Sequence, residues 1–319
     1  MPKRPIFLLI DGHAVIYRAF YALPKLTDPK GRVVNAVYGF TRILLAAINE
    51  FEPKYLAVTF DHRKPTFRHK EFKDYKAQRP EMPDDLKPQI PLVKEIVTVL
   101  NIPQFEIEGY EADDLIGTLS YKLDHNPKEL KADENLLSIV VTGDKDLLQL
   151  VDDNTHVWLP GRGKKSDLEY DREQVKADLN IYPEQVVDMK ALMGDSSDNI
   201  PGIKGIGKKT AASLINEFGS LDNIFQAVAK IEAKQIDPGG LLKGAVLEKL
   251  RTGKESAYLS QMLAKIELDV PLKINLPQCQ VESYDKAKVV ELFKQYDFNS
   301  LIGQLPGDQL ETDIQEALF

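Results

Sequence analysis

Three short apolar runs, each ending at an acidic residue, constrain the fold of this chain more than any other feature of its sequence. They occupy residues 6–11, 55–61 and 137–144. Each run is apolar almost without alternation, which is typical of strands buried on both faces of a parallel sheet. Between the first two runs, residues 36–51 place apolar side chains at intervals of three and four, as one helix face requires. The pattern predicts an α/β fold with a mostly parallel sheet flanked by helices.

Acidic residues cluster at the ends of these runs, and a fourth candidate strand at residues 104–107 precedes a further acidic group. In open α/β sheets, ligands bind at the carboxyl ends of the strands. Any one acid alone would more often cap a helix or lie in a solvated turn, so the interpretation depends on the whole set. The nine candidate metal-binding acids are Asp11, Asp61, Glu111, Asp113, Asp114, Asp144, Asp146, Asp195 and Asp198.

The composition of this acid set indicates which ions it would bind. Carboxylates brought together repel each other unless cations neutralise them. Oxygen ligands without histidine or cysteine favour Mg²⁺ or Mn²⁺ over zinc. Two such ions, held about 4 Å apart, commonly promote in-line attack on a phosphodiester. The sequence therefore predicts a site for two or more divalent ions.

A basic segment with interleaved aromatic residues follows the second predicted strand. Residues 62–79 contain seven lysines and arginines against two acids, together with Phe67, Phe72 and Tyr75. Cations that contact phosphates and rings that stack on bases are typical of single-stranded nucleic acid binding. An amphipathic helix whose aromatic residues face the core remains an equally open interpretation. Pro80, Pro83 and Pro88 favour a mobile arch over a packed helix, and we call residues 62–92 the arch segment.

A glycine-rich turn opens a predicted helix near Lys208. Gly202, Gly207 and Lys208 imitate the spacing of a phosphate-binding loop, but Lys209 stands where such a loop needs Ser or Thr, and no β-run precedes it. We therefore reject an ATPase interpretation. Backbone N–H groups at a helix start bind phosphate, so the turn predicts a grip on the duplex backbone that does not depend on base sequence. Its candidate DNA-binding residues are Gly202, Lys204, Gly205, Gly207, Lys208 and Lys209.

The change from mixed strand and helix patterns to helix patterns alone divides the chain into two predicted domains and a tail. Its 319 residues suffice for two ordinary domains. We expect a catalytic α/β domain over residues 1–178, a helical domain over 179–302, and a tail or linker over 303–319. The single cysteine, Cys279, excludes an intrachain disulfide, and the first apolar run stops at Asp11, too short for a signal peptide or a spanning helix. These features predict a cytoplasmic protein.

Taken in order, the motifs resemble the 5′–3′ exonuclease domain of bacterial DNA polymerase I, in the flap endonuclease superfamily. They include Ile10-Asp11-Gly12, Phe60-Asp61, Glu111-Ala112-Asp113-Asp114, Thr142-Gly143-Asp144-Lys145-Asp146 and residues 194–202. The resemblance implies a PIN-like core with a helical arch and a helix-three-turn-helix domain. It also implies Mg²⁺-dependent removal of 5′ flaps and RNA primers during DNA replication and repair.

The resemblance further assigns roles to individual residues. The nine acids match metal-site positions, while Arg18, Arg68, Tyr75, Lys76 and Arg79 match substrate-contacting positions. We expect Lys76, Arg79 and Arg18 to neutralise the scissile phosphate and Tyr75 to stack on a frayed base. The turn from Gly202 to Gly207 matches a duplex-binding motif in which the family often holds K⁺ on backbone carbonyls.

The resemblance also indicates partners. They are branched or flapped duplex DNA, RNA–DNA primer junctions, and a DNA polymerase that is either fused to the chain or separate. We expect a monomer without membrane contact. Two rival functions stay open: a non-catalytic clamp on branched DNA, and a PIN-type ribonuclease, which needs fewer acids and no arch.

The formal charge of −8 argues at first against a nucleic-acid partner. Without the nine candidate metal-binding acids, however, that charge becomes +1. The acidic balance is thus compatible with a concentrated cation site in an otherwise near-neutral protein. Positive charge in the arch segment lies where phosphates would bind.

Overall fold

A six-stranded sheet forms the centre of the first part of the chain, as seen in a computed structural model that describes residues 4–132, 135–161, 166–281 and 284–307. The strand order is β3-β2-β1-β4-β5-β6, and only the β5–β6 pair is antiparallel. The strands are β1 (Ile6–Asp11), β2 (Tyr55–Thr59), β3 (Gln104–Phe105), β4 (Leu137–Val141), β5 (Thr155–Leu159) and β6 (Leu168–Tyr170). The predicted mostly parallel α/β sheet is confirmed.

The register of the central strands aligns their carboxyl ends. Asp11 of β1 pairs with Thr59 of β2, and Ile10 pairs with Val141 of β4. All six residues of β1 are buried, because cores cover both faces of the sheet. The acids that end or follow these strands consequently lie at one edge.

Helices cover both faces of the sheet and form the second part of the chain. They are α1 (Gly12–Ala22), α2 (Asn35–Phe51), α3 (Phe67–Glu71), α4 (Gln89–Val99), α5 (Ala112–His125), α6 (Arg172–Leu179), α7 (Val186–Met193), α8 (Lys208–Phe218), α9 (Leu221–Glu232), α10 (Gly244–Ala264), α11 (Lys286–Gln295) and α12 (Asn299–Ile302). Short 3₁₀ helices occupy Pro127–Leu130, Lys145–Leu150, Pro183–Gln185 and Leu276–Cys279. Among the described residues, no helix is both long and apolar enough to cross a membrane.

Two large apolar cores lie on opposite faces of the sheet. Phe7 and Leu9 of β1 join a core that continues through α5 into α7, α8, α9 and α10. Ile6, Leu8 and Ile10 join the other core, with α1, α2 and α4. Alternate residues of one strand thus face the two cores. The helical part is therefore packed against the sheet layer through one continuous core.

The chain after α10 returns to the sheet. Leu276–Cys279 lies beside β2, and Phe293 of α11 is fully buried in the core that contains α2 and α4. These residues fall within the predicted helical domain, because a run of helices in the sequence does not indicate the surface against which each helix packs. The division into domains stays a prediction. The predicted tail lies outside the described residues from 308 onward.

The base of the arch segment is packed, which differs from the mobile lid that its prolines suggested. Tyr75 and Leu86 are buried. The Lys76 N–H donates to the Asp198 carbonyl at 2.9 Å, and the Asn199 side-chain amide donates to the Asp74 carbonyl at 2.7 Å. The prolines break the helical pattern after α3, as expected. The residues around Tyr75 nevertheless pack against the turn before Pro201.

Candidate active site

A cleft of about 440 Å³ opens at the carboxyl ends of β1, β2 and β4. Five of the nine predicted metal-binding acids and all three predicted phosphate-neutralising cations line it. The acids are Asp11, Asp61, Glu111, Asp113 and Asp144, and the cations are Arg18, Lys76 and Arg79. We call the three cations the cationic rim. The cleft thus joins a carboxylate cluster to positive side chains, as phosphodiester chemistry would require.

Asp11 lines the cleft as both the last residue of β1 and the N-cap of α1. Its Oδ1 accepts from the Ala14 N–H at 3.1 Å, and its Oδ2 accepts from the Thr142 hydroxyl at 2.8 Å. Burial, with repulsion from Asp61 and Asp144, raises the pKa of Asp11 to about 7. A cation in the cleft would therefore favour the charged form of this carboxylate.

The first turn of α5 presents a second pair of acids. Glu111 is the N-cap of α5, and Asp113 lies in its first turn. Burial, with repulsion from Glu111 and Asp114, raises the pKa of Asp113 well above its usual range. Asp113 Oδ1 is buried and accepts no hydrogen bond from any described residue. A buried carboxylate oxygen without a partner is costly unless a cation occupies the site.

Asp61 is fixed by hydrogen bonds with two neighbours, Ala112 and His13. Its Oδ1 accepts from the Ala112 N–H at 2.8 Å, while its own N–H donates to His13 Nδ1 at 2.9 Å. The His13 side chain is only 14% exposed and lines the cleft, although it is not among the predicted site residues. Burial lowers the pKa of His13, although the charge of Asp61 opposes the shift. Its position two residues after Asp11 was the available signal.

Asp146 and Asp195 form a separate group around Lys190, which no motif predicted. The Lys190 ammonium pairs with both carboxylates, at 2.7 Å from Asp195 Oδ2. Burial and Asp144 raise the pKa of Asp146 to about 7. Burial would also raise that of Asp195, but hydrogen bonds from Lys190 and Ser197 outweigh it and hold the value at about 2. A lysine on the otherwise apolar end of α7 was the only sequence signal.

Asp198 and the arch segment contact each other through ion pairs. Lys76 Nζ lies 2.7 Å from Glu111 Oε1 and 3.9 Å from Asp198 Oδ2. Arg79 pairs with Asp198 through its Nη2, and its Nε donates to Asp198 Oδ1 at 3.1 Å. Two of the rim cations, Lys76 and Arg79, therefore neutralise acids of the same site. Within the described ranges, no three His, Cys, Asp or Glu side chains converge closely enough to hold a metal. The ammonium and guanidinium groups of Lys76, Arg79 and Lys190 hold four of the nine predicted acids, namely Glu111, Asp146, Asp195 and Asp198.

Three predicted site residues make contacts inside the protein that differ from those expected. Arg68 and Tyr75 were expected to contact DNA, and Asp114 to bind metal. Arg68 and Asp114 are instead buried against each other, and Tyr75 is buried with its hydroxyl donating to Glu111 Oε2 at 3.2 Å. Their partners lie 36 to 46 residues away along the chain. A local pattern of charge and aromatic residues could not reveal these contacts.

The glycine-rich turn is pinned against α10. The Gly202 N–H donates to Ser260 Oγ at 2.9 Å, and its carbonyl accepts from Ser256 Oγ at 2.6 Å. The Gly205 carbonyl accepts from Lys249 Nζ at 2.9 Å. Gly207 caps α8, and the predicted DNA-binding lysines Lys204, Lys208 and Lys209 are exposed. The turn thus places a helix start and three lysines at the surface, about where sequence analysis expected a grip on phosphates.

Comparison with known proteins supports the class that this geometry defines. A resolvase-like sheet with an acidic cleft and a following helical fold is the architecture of the 5′–3′ nucleases. Models of the 5′–3′ exonuclease N-terminal resolvase-like domain and of the 5′–3′ exonuclease C-terminal SAM fold match residues 6–180 and 181–287. The chain belongs to the 5′–3′ exonuclease family.

The similar curated proteins are bacterial DNA polymerases I. The chain is 37% identical over 318 residues to DNA polymerase I of Bacillus subtilis, which covers 100% of this chain and 34% of that protein. It is 36% identical over 310 residues to the thermostable DNA polymerase I of Thermus thermophilus, and the match covers 97% of this chain and 34% of that protein. The chain thus spans about a third of the length of these relatives.

Solved structures share the fold at low sequence identity. The T5 5′-exonuclease with bound zinc superimposes with a TM-score of 0.64 at 20% identity, covering 98% of both chains. The catalytic core of Rad2 in complex with DNA substrate superimposes with a TM-score of 0.56 at 19% identity, covering 95% of this chain and 93% of that chain. These likenesses confirm the arrangement of sheet and helices.

Proposed function

We propose that this chain is a structure-specific 5′–3′ exonuclease and 5′-flap endonuclease that hydrolyses phosphodiesters with divalent ions. The observation that carries the proposal is the cleft, where five buried or half-buried acids face the cationic rim. Family membership supports the activity. The nuclease function is compatible with roles in DNA replication and repair, including removal of RNA primers.

The residues of the cleft fit divalent ions. Asp11 and Asp113 repel neighbouring carboxylates in a buried site, and Asp113 Oδ1 is unpartnered among the described residues. Oxygen-only ligands favour Mg²⁺ or Mn²⁺. The five cleft acids would hold these ions, with Asp146, Asp195 and Asp198 beside them. When bound, the ions supply an activated water and stabilise the leaving 3′ oxygen.

The cationic rim would bind the scissile phosphate. Lys76 and Arg79 neutralise Glu111 and Asp198 in this structure. Ions held by those acids would leave the charges of both side chains available to a phosphate at the cleft, which Arg18 also lines. Their positive charge then opposes the charge that develops on the phosphate during attack. The rim therefore neutralises acids in the metal-free site and would neutralise a phosphate in the metal-bound site.

The helical part would grip the duplex behind the cleft. The start of α8 offers backbone N–H groups, and Lys204, Lys208 and Lys209 add charge without base contacts. Because such binding releases counterions, affinity for DNA should fall as the salt concentration rises.

The K⁺ ion expected at this turn has less support, since Ser256 and Lys249 already donate to the Gly202 and Gly205 carbonyls. The substrate is branched duplex DNA, bound by a monomer in the cytoplasm.

The proposal is tested on a labelled 5′-flap duplex, with Mg²⁺ and with EDTA. We expect cleavage with Mg²⁺ only, and its loss in the Asp11→Ala, Asp113→Ala double variant. Asp237→Ala, an exposed acid far from the cleft, is the matched control and should cleave normally. Cleavage in EDTA or by the double variant would contradict the mechanism. Binding without any cleavage would favour the clamp, and cleavage of RNA alone would favour the ribonuclease.

A further inference from the structure

A buried ion pair joins the arch segment to the first turn of α5. Arg68 Nη1 lies 2.8 Å from Asp114 Oδ2, and Arg68 Nη2 lies 2.7 Å from Asp114 Oδ1. The two side chains are 2% and 0% exposed. Two parallel N–H···O contacts in this fork arrangement fix orientation as well as distance. The pair is thus a rigid connection between residues 46 positions apart.

The remaining hydrogen-bonding capacity of both groups is used inside the protein. Asp114 also accepts from the backbone N–H of Glu111 at 3.0 Å and from that of Glu267 at 2.8 Å. Arg68 also donates to the carbonyls of Leu263 at 3.1 Å and Lys265 at 2.7 Å. A carboxylate that accepts four hydrogen bonds has no lone pair left for an ion, and this guanidinium has no fork left for phosphate.

The contacts of the pair converge on the acids of the cleft. Asp114 caps the backbone of Glu111, and Asp113 stands between them in sequence. Arg68 Nη1 also lies 3.4 Å from Glu111 Oε2. The pair therefore ties the start of α3, the first turn of α5 and the end of α10 together directly behind Glu111 and Asp113.

We propose that Arg68 and Asp114 are positioning residues, which hold Glu111 and Asp113 at the cleft and contact neither DNA nor metal themselves. This inference rests on the proposed function. Apolar replacement of a buried ion pair is often neutral or stabilising, so stability alone is a poor reason to keep one here. Fixing ligand geometry is a better reason, because loss of a supporting contact typically weakens metal binding or activity by about 10–100-fold.

The decisive variants are Arg68→Met and Arg68→Lys. If Asp114 were a metal ligand, removing its partner would free it and leave Mn²⁺ binding equal or tighter. A positioning role predicts the opposite: about 10–100-fold weaker Mn²⁺ binding without DNA, measured by electron paramagnetic resonance of the unbound ion. Arg68→Lys, which keeps the charge but not the fork, should weaken it less. Flap-DNA affinity in EDTA should change by less than about twofold, since the residue lies outside the DNA contact.

Two further variants keep the inference testable if a single variant is unstable. Arg68→Met with Asp114→Leu replaces the pair by apolar groups and should fold by circular dichroism, yet bind Mn²⁺ as weakly as Arg68→Met alone. Arg32→Met is the control and breaks an Arg–Asp pair outside the cleft lining, in which Arg32 Nη2 lies 2.7 Å from Asp28 Oδ2. Its Mn²⁺ affinity should be unchanged.

The results separate this inference from the function on which it rests. Unchanged Mn²⁺ binding by Arg68→Met, or loss of flap-DNA affinity in EDTA, would overturn the inference. Failure of the apolar double variant to fold would also overturn it, because the pair would then be required by the fold. Failure of the wild-type protein to cleave a flap with Mg²⁺ would instead contradict the proposed function.

Discussion

The ammonium of Lys76 lies 2.7 Å from Glu111 Oε1, inside the acid cluster where a metal would also bind. Burial alone would lower the pKa of Lys76, but Glu111 and Asp198 outweigh it and raise the pKa well above its usual range. The lysine is therefore charged and would compete with a metal ion for the same carboxylate. Removal of this side chain should therefore strengthen metal binding or leave it unchanged, even though it weakens catalysis.

Lys76→Met should separate metal binding from catalysis. We expect flap cleavage to fall by about 10²–10³-fold in kcat, since a cation that opposes developing charge is lost. Mn²⁺ binding without DNA should be equal or tighter, because Glu111 is released. Lys288→Met, on the exposed face of α11, is the control for both measurements. Weaker Mn²⁺ binding by Lys76→Met would show that the lysine does not compete with metal.

The metal-free protein should lose stability as the pH rises from about 4 to 7. The folded-state pKa of Asp11 is about 7 against 3.8 for the unfolded chain, so the folded state binds the extra proton in this range. The free energy of unfolding is greatest while Asp11 retains that proton. A pKa shift of this size corresponds to a change of at most about 4 kcal/mol in the free energy of unfolding. Thermal unfolding in EDTA should show the loss, and Asp11→Asn should reduce it. A melting temperature that rises over this range in EDTA would contradict the prediction.

Two glycines of the turn should respond differently to alanine. Gly202 has a φ of +58°, and an added Cβ would lie 2.2 Å from the Gly194 nitrogen. Gly202→Ala should destabilise the fold by about 3 kcal/mol or more. Gly207 has an extended backbone and open space around its α-carbon, so Gly207→Ala should cost less than about 1 kcal/mol. Urea unfolding of both variants measures the contrast, and equal costs would contradict the packing seen at Gly202.

Tyr75→Phe distinguishes the buried role of Tyr75 from the base stacking expected from sequence. Phenylalanine keeps the ring but removes the hydroxyl that donates to Glu111. We expect a loss of about 1–3 kcal/mol in the free energy of unfolding, as for a hydrogen bond to a charged group. Affinity for flap DNA in EDTA should be unchanged. Tyr75→Leu is the companion variant, and a large loss of DNA affinity in it, without loss of stability, would restore the stacking role.

Much of the cleft could be predicted from the sequence, because its acids follow strands. Asp11, Asp61 and Asp144 end or follow mostly apolar runs, and parallel pairing must bring such ends to one edge. The α8 helix begins at Lys208, as its glycine turn predicted. Strand β5 was missed, since its Thr155-His156-Val157 start mixes polar with apolar residues and gives no clear run.

Local pattern alone determined the fold class, the acids at the strand ends and the turn at Gly202, because each depends on residues close together in the chain. Only the tertiary structure decided which charges face the cleft. Arg68 and Lys76 lie in the same basic segment, yet Arg68 is buried against Asp114 while Lys76 reaches the acid cluster. The sequence pattern of α11 predicts a helix, but it does not show that Phe293 packs beside α2 and α4. A charge or an apolar face is defined by its own sequence, but its partner is defined by packing between segments that are distant in the chain.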